Sequence, residues 1–289
     1  MRLVTFGASG QARVGVMADQ RILDLSDLAG SMEELLAGGD ALLEEARSRV
    51  DAVSRVSMGG PTIRMWRSGE SRLLAPLLRP GKIICVGLNY ADHAAEQGVK
   101  PPPTPVIFAK YTNAVVGPEA PIVLPKASRQ VDYEAELAFV IGRRARRVPE
   151  SEAMRYVAGY TVCNDVSARD FQFGDGQWTR GKTCDTFCPI GPALVTADEV
   201  PDPHALDIEL RLNGATMQKS NTRQLVFSIP YLVHFLSQSM TLEPGDLIST
   251  GTPPGVGCFR KPPVYLKAGD TVEITVERVG TLRNPVAAE

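Results

Sequence analysis

The chain has little histidine, few cysteines and no long apolar run, and each shortage excludes a class of protein. It has 289 residues, three histidines, five cysteines and a formal net charge of -2. So small a charge gives no electrostatic reason to expect nucleic acid or an anionic membrane as a partner. No apolar stretch approaches the ~20 residues of a membrane-spanning helix. The first residues also lack the apolar core of a signal peptide, so we expect an intracellular, cytoplasmic protein.

The cysteines form no regular framework, and an odd number suits a reducing compartment. Cys184 and Cys188 are four positions apart, but no second pair and no nearby histidine completes a zinc set. Cys85 and Cys163 lie in apolar runs and are typical of a core. A zinc or thiol enzyme built on Cys184 and Cys188 is therefore a weak alternative.

The order of apolar runs and turns predicts a small domain followed by a larger one. Residues 1–75 are typical of a small α/β domain, with helices over about 31–37 and 40–56 and a turn around residues 59–61. In residues 76–289, short β-rich runs alternate with Gly/Pro turns. Helices are expected there only near 92–97, 150–155 and 228–239. The pattern predicts an α+β, predominantly β fold, as a sandwich, roll or barrel rather than a doubly wound sheet.

Acidic residues alternate in the segment 132–142, whose second half is a short apolar run closed by glycine. This pattern predicts a β-strand. Side chains on a strand alternate between faces, so Asp132, Glu134 and Glu136 point the same way. Like charges on one face repel, and a buried carboxylate needs a partner. Either this face is solvated or it holds a cation.

Asp165 follows the predicted strand 157–163 and therefore lies at the rim of a sheet. It either caps a short helix or belongs to a site. Together with Glu134 and Glu136 it would supply three oxygen ligands, without histidine or thiolate. Such a set suits Mg²⁺ or Mn²⁺; Ca²⁺ could occupy it, for example in crystals, but asks for more ligands.

His93 and Glu96 are three positions apart on a predicted helix, where their side chains share one face. A carboxylate raises the basicity of an imidazole and so makes a general base near neutral pH. The alternative is a surface pair without a function.

Basic and glycine-rich elements follow Asp165. Arg169 could bind a substrate carboxylate through two hydrogen bonds, and Lys182 could stabilise an oxyanion. The Gly/Pro loop, Gly251–Gly257, lacks the GK[ST] ending of a phosphate-binding P-loop. Its amides and Thr252 could still line a small anion site, unless the loop is an ordinary tight turn.

Taken together, these segments resemble the fumarylacetoacetate hydrolase family. The resemblance covers about residues 80–280 in the family's order, and the matching stretches are 86–93, 132–137, 164–170, 181–192 and 250–257. Residues 259–263 are most similar to the domain-containing branch, which includes oxaloacetate tautomerases.

The resemblance implies the family's mixed β-sandwich roll, usually a homodimer, and a set of site residues. Residues 1–75 gain little from it. The implied metal ligands are Glu134, Glu136 and Asp165, the catalytic dyad is His93 and Glu96 on a loop that closes as a lid, and the active-site lysine is Lys182. The implied substrate-binding residues are Arg169, Gln172, Thr252 and, more loosely, Lys110.

The function that follows is an Mg²⁺- or Mn²⁺-dependent enzyme that acts on a small 2-oxo (β-diketo) acid through an enolate stabilised by the ion. The leading prediction is a C–C bond hydrolase of the acylpyruvate or fumarylpyruvate type. An oxaloacetate keto–enol tautomerase, or a decarboxylase or isomerase, would use the same residues. A non-catalytic metal-binding homodimer is the alternative of another class, and the presence of the dyad, the ligand set and Lys182 speaks against it.

Overall fold

A computed structural model describes residues 1–8, 10–18, 21–55, 65–67 and 71–289. The turn predicted around residues 59–61 lies outside these ranges. The strands are β1 Arg2–Phe6, β2 Arg13–Ala18, β3 Arg21–Asp24, β4 Met65–Arg67, β5 Ile83–Gly87, β6 Val106–Lys110, β7 Val115–Val116, β8 Ile122–Leu124, β9 Val131–Asp132, β10 Ala135–Ile141, β11 Val157–Asn164, β12 Ser167–Ala168, β13 Cys188–Thr196, β14 Asp207–Leu212, β15 Ala215–Asn221, β16 Leu247–Ser249, β17 Thr271–Val276 and β18 Gly280–Ala288. The helices are α1 Met32–Ala37, α2 Gly39–Arg55, α3 Ala91–Glu96, α4 Arg169–Gly174, α5 Thr179–Lys182 and α6 Ile229–Ser239.

The largest sheet contains strands from both predicted domains. Its order is β4-β3-β2-β1-β13-β11-β10-β16-β5-β6, and β7 pairs with β13 outside this path. Leu3 of β1 lies opposite Leu194 of β13 in an antiparallel pair. Both side chains are fully buried in the same hydrophobic core. The segment predicted as a small α/β domain therefore adds its strands to the sheet that carries the site.

A second sheet has the order β15-β14-β17-β18-β8, and β9 and β12 form a two-stranded sheet. In β14 and β17 buried residues alternate with more exposed ones, so one face of the second sheet is solvated. The buried face shares the core of the large sheet through residues such as Leu210 and Ile274. The prediction of a predominantly β sandwich or roll is confirmed.

The acidic segment is not the continuous strand predicted from its alternation. β9 ends at Asp132 and β10 begins at Ala135. Between them, Tyr133 N donates to Asp132 Oδ1 at 2.9 Å, and Glu134 N donates to Asn164 Oδ1 at 3.1 Å. Since side-chain acceptors take these two amides, the sheet ladder is interrupted there. The apolar part, β10, is buried along its whole length.

The predicted helices agree with the structure in part. Ser31 Oγ accepts from Glu34 N at 3.1 Å and so caps α1, and α3 and α6 lie within one residue of their predicted bounds. Residues 150–156 form a 3₁₀-helix rather than an α-helix. The short helices α4 and α5 were not predicted. None of the described helices is long and apolar enough to cross a membrane.

Candidate active site

Three buried carboxylates converge where β10 and β11 meet. Glu134 directly precedes β10 and Glu136 is its second residue. Asp165 follows β11, which pairs with β10 in antiparallel fashion. One oxygen from each carboxylate lies within 4.8 Å of the other two. Asp165 N donates to Glu134 O at 3.0 Å, which ties the two chain segments together. The structure therefore brings the predicted ligand set into one cluster.

Two of these carboxylates have cationic partners. Lys182 Nζ donates to Glu134 Oε2 at 2.6 Å and to Asp165 Oδ2 at 2.7 Å. Arg169 Nη2 donates to Glu134 Oε1 at 2.7 Å, and Lys110 Nζ donates to Asp165 Oδ1 at 2.6 Å. Burial acts to raise the pKa of Glu134, but Arg169 and Lys182 outweigh it and lower that pKa to about 2.

Glu136 has only neutral donors. The Ser249 hydroxyl and Gly251 N, the latter at 2.9 Å, both donate to its Oε2. No lysine or arginine among the described residues pairs with it. Burial and the like charges of Asp165 and Glu134 raise the pKa of Glu136 well above its usual range. Glu136 is therefore a buried acid without a compensating charge.

The charge balance of the cluster favours a bound cation. With Asp132, four buried carboxylates face the three buried cationic side chains Lys110, Arg169 and Lys182. A divalent ion would supply the positive charge that Glu136 lacks. Its ligands would be carboxylate oxygens alone, the donor type that Mg²⁺ and Mn²⁺ prefer. The residues present therefore fit the predicted metal.

The predicted dyad lies beside the carboxylates. His93 Nδ1 is 3.0 Å from Glu96 Oε2, and Gln97 Nε2 is 2.8 Å from His93 Nε2. When the imidazole is neutral, donation to Glu96 places its proton on Nδ1 and leaves the Nε2 lone pair facing Gln97. Gly255 N donates to both oxygens of Glu96 at 3.0 and 3.2 Å. The dyad lies on the predicted helix, α3, which Gly255 N joins to the loop 251–257 through Glu96. Closure of this segment as a lid stays a prediction.

A cavity of about 100 Å³ connects the carboxylates to the dyad. Its wall combines acidic, basic and aromatic side chains with a few small residues. The lining residues are Val86, Gly87, Leu88, His93, Gln97, Phe108, Glu134, Glu136, Arg169, Gln172, Phe173, Trp178, Lys182, Thr252 and Phe259. Three of the four predicted substrate-binding residues, Arg169, Gln172 and Thr252, are in this wall.

Lys110 does not line the cavity. Its ammonium is fully buried and donates to Asp165 and, at 3.0 Å, to Val166 O. The geometry makes it a partner that holds Asp165 in place, and its looser prediction as a substrate-binding residue stays a prediction. The Thr252 hydroxyl donates to Ala135 O at 3.0 Å, so its predicted contact with a substrate carboxylate stays a prediction.

Sequence reasoning left the role of Asp132 open and missed Gln97. Asp132 does not turn outward: it is fully buried and accepts from Arg169 Nε at 3.0 Å, Gly257 N at 2.8 Å and Cys258 N at 2.9 Å. It thus supports Arg169 and the turn after the Gly/Pro loop. Gln97 was detectable, because it lies four positions after His93 on the same helical face.

The thiol alternative finds no support in the structure. Cys188 is buried, with Sγ 4.0 Å from that of Cys163, and burial raises the pKa of Cys184. Within the part of the chain that the structure describes, only the carboxylate cluster groups three potential metal ligands.

Comparison with known proteins agrees with this geometry. The family model for the fumarylacetoacetate (FAA) hydrolase C-terminal domain matches residues 82–287. The mitochondrial oxaloacetate tautomerase fahd2 of Xenopus laevis is 48% identical over 296 aligned positions, covering 99% of this chain and 90% of that protein.

Two solved structures show the same fold. The fumarylacetoacetate hydrolase of Exiguobacterium antarcticum has a TM-score of 0.85 and 37% identity, and each chain covers 100% of the other. The maleylpyruvate hydrolase of Sphingobium sp. SYK-6, solved with manganese(II) and pyruvate, has a TM-score of 0.82 and 34% identity. The match covers 100% of this chain and 99% of that one.

Proposed function

The chain belongs to the fumarylacetoacetate hydrolase family, and we propose that it is an Mg²⁺- or Mn²⁺-dependent enzyme that interconverts the keto and enol forms of oxaloacetate or a similarly small 2-oxo diacid. One observation carries the proposal: Glu134 and Glu136 of the carboxylate cluster line the same cavity as His93. At about 100 Å³ this cavity is small beside the roughly 300–1,000 Å³ of pockets for drug-sized ligands, which favours a small acid. The similarity to tautomerases along 99% of the chain supports this choice of reaction.

The metal would be held by Glu134, Glu136 and Asp165. When bound, such an ion supplies Lewis-acid polarisation of the 2-oxo group and makes the proton at C3 more acidic. His93 Nε2 accepts that proton, while Glu96 stabilises the imidazolium through Nδ1. Lys182 donates to the negative charge that develops on the substrate oxygen. The imidazolium of His93 gives up its proton and the oxygen gains one through solvent, which completes the enol and regenerates the base. The reverse steps return the ketone.

Entry of the substrate also requires Gln97 to release His93. In the structure the Gln97 amide occupies the Nε2 lone pair at 2.8 Å, where the C3 proton has to arrive. Until then, Gln97 keeps the base in the tautomer that catalysis needs. We therefore expect Gln97 to affect how the base is presented, and not the metal.

Hydrolysis of a C–C bond is the second candidate, and the His93–Glu96 pair favours it. For a β-diketo acid, His93 would deprotonate water that adds to the C4 carbonyl. The C3–C4 bond then breaks, one acid leaves with the added oxygen, and pyruvate leaves as its enolate and takes a proton at C3. The structural similarity to a maleylpyruvate hydrolase supports this candidate.

Parallel assays separate the two reactions. The ultraviolet absorbance of the enol follows the approach of oxaloacetate to keto–enol equilibrium, and a coupled dehydrogenase detects pyruvate released from acylpyruvates. We expect oxaloacetate to equilibrate faster with protein and Mg²⁺ or Mn²⁺, and the acceleration to disappear in His93→Ala and with chelator. Pyruvate release from acylpyruvates without any acceleration of oxaloacetate would overturn tautomerisation in favour of hydrolysis.

Assembly and location stay proposals. We expect a homodimer, which a measurement of molar mass in solution tests. We also expect a cytoplasmic protein, although relatives at 46–48% identity carry the designation mitochondrial. Imaging of the tagged full-length protein in its own cell decides between the two compartments.

A further inference from the structure

A buried glutamine stands out on the edge strand of the second sheet. β15 is the outermost strand of that sheet, and its side chains are exposed or half-buried except that of Gln218, which is 1% exposed. A buried primary amide is costly unless its oxygen and both of its hydrogens find partners. Its partners therefore indicate what holds Gln218 inside.

All of these partners lie at the candidate metal site. Gln218 Oε1 accepts from Ala135 N at 2.9 Å. Its Nε2 donates to Thr252 Oγ1 and to Pro253 O, each at 2.8 Å. The Thr252 hydroxyl in turn donates to Ala135 O at 3.0 Å. Three hydrogen bonds thus join the amide of Gln218, the peptide groups of Ala135 and the hydroxyl of Thr252 into a closed ring.

The position of Ala135 gives this ring its importance. Ala135 separates Glu134 from Glu136, so the orientation of its two peptide groups sets the spacing of the two carboxylates. Ala135 is the first residue of β10, directly after the interruption of the sheet ladder, and its N–H uses the Gln218 side chain as acceptor. The loop held by the same amide also provides Gly251 N, which donates to Glu136.

We propose that Gln218 is a positioning residue for the metal-ligand pair: from the second sheet it fixes the peptide between Glu134 and Glu136 and the loop that carries Thr252. The inference rests on the proposed metal-dependent function. It assigns the second sheet a part in the site, although none of its strands contributes a ligand.

Ser220, on the same strand, provides an internal contrast. Its hydroxyl donates to Asp92 Oδ2 at 2.5 Å, and Asp92 Oδ1 accepts from His93 N at 3.0 Å. Ser220 therefore acts on the helix of the dyad, whereas Gln218 acts on the ligand strand. We therefore expect loss of the Ser220 contact to affect the dyad, and loss of the Gln218 contacts to affect the metal ligands.

Binding of Mn²⁺ alone, followed by electron paramagnetic resonance, tests the proposal without relying on turnover. The full-length protein is compared with two variants. Gln218→Met removes the three hydrogen bonds of the Gln218 side chain, to Ala135, Thr252 and Pro253. Gln218→Glu keeps the shape but places an acceptor against the carbonyl of Pro253. We expect both variants to bind Mn²⁺ about 10–100-fold more weakly, the usual effect of losing a partner that orients a ligand. Ser220→Ala should keep the wild-type Mn²⁺ affinity and lower kcat. The exposed neighbour Lys219 gives a matched control, Lys219→Met, which should change neither.

The outcomes separate this inference from the proposed function. If the wild-type protein binds no Mn²⁺, the metal-dependent function fails. If it binds Mn²⁺ and both Gln218 variants bind equally well, only the role of Gln218 fails, even if their melting temperatures fall. Should Gln218→Met not fold, Gln218→Glu and Thr252→Val decide in its place, because each disturbs the ring while keeping the side-chain volume. Wild-type Mn²⁺ affinity in both would overturn the proposal.

Discussion

At the scale of single residues, the three carboxylates of the cluster are all buried but differ in the partners that stabilise them. Glu134 and Asp165 are each paired with two cationic side chains, whereas Glu136 has a hydroxyl and an amide. A buried charge needs a partner, so the absence of one at Glu136 defines where a cation would be most strongly stabilised. We therefore expect removal of the charge at Glu136 and removal of the charge at Asp165 to have opposite effects on stability.

Substitution of the ligands should uncouple metal binding from stability. Glu136→Gln removes a charge that repels its neighbours, and the amide oxygen can still accept from Ser249 and Gly251. We expect it to abolish Mn²⁺ binding but to leave the metal-free protein at least as stable as wild type. Asp165→Asn leaves the ammonium of Lys110 without its carboxylate and should cost about 3–5 kcal/mol. Chemical unfolding in the presence of a chelator measures the free energy of unfolding of both variants. Equal destabilisation of the two would contradict the charge argument.

Of the two buried lysines, Lys182 is the one placed to act on substrate, because it lines the cavity and Lys110 does not. Lys182→Met keeps an unbranched apolar side chain and removes the ammonium, whose nitrogen lies 4.9 Å from the centre of the Phe108 ring. Loss of one donor to an oxyanion typically lowers kcat about 10²–10³-fold, and we expect a decrease in that range. Steady-state kinetics at saturating Mg²⁺ check it, with the exposed Lys267→Met as control. An unchanged kcat for Lys182→Met would remove the lysine from the mechanism.

Which of these residues could be predicted depended on local chemistry. Glu134, Glu136 and Asp165 could be found because they are acidic residues at the ends of predicted strands and follow the order of the family's motifs. Carboxylate ligands alone favour a hard cation. Gln218 could not, because the sequence of β15 is polar and predicts a solvated edge strand. Its partners lie 83 positions before it and 34 and 35 positions after it, and no local pattern encodes such contacts.

At the scale of elements, the site depends on short segments that propensity describes poorly. The apolar run of β10 was predicted, but its interruption was not, because two side-chain acceptors compete with the ladder there. The helices α4 and α5 have six and four residues and little periodicity, yet they carry Arg169, Gln172 and Lys182. Such segments take their conformation mainly from tertiary contacts.

The Gly/Pro loop gives a test at this scale. Gly255 has φ +98°, and a Cβ placed there would lie 2.1 Å from Met217 O. Gly255→Ala must therefore shift the backbone that holds Glu96, and such strain costs on the order of 1–3 kcal/mol. We expect a lower melting temperature together with a lower kcat. Gly174→Ala is the matched control, since a Cβ there meets nothing within 4 Å. Equal behaviour of the two alanine variants would mean that the loop does not position the dyad.

At the scale of the whole molecule, the continuous large sheet is the feature that composition and turn spacing did not predict. The change in character near residue 75 suggested two domains, but the pairing of β1 with β13 is long-range and leaves no local signal. Strands on both sides of that boundary share one core, in which Leu3 and Leu194 are fully buried. A shared core of this kind favours unfolding in a single step.

The two tryptophans of the chain can test whether the parts unfold together. Trp66 lies in β4, where the centre of its ring is 6.0 Å from that of Phe6. Trp178 lies at the cavity, where the centre of its ring is 5.3 Å from that of Phe108. Trp178→Phe leaves fluorescence that reports on the N-terminal strands, and Trp66→Phe leaves fluorescence that reports on the site. In each variant we expect the fluorescence midpoint in urea to coincide with the midpoint from far-ultraviolet circular dichroism. The comparison is made within a variant, so a change in overall stability does not affect it. A Trp66 transition at lower urea than the circular dichroism transition would instead show that the N-terminal strands form a separate folding unit despite the shared sheet.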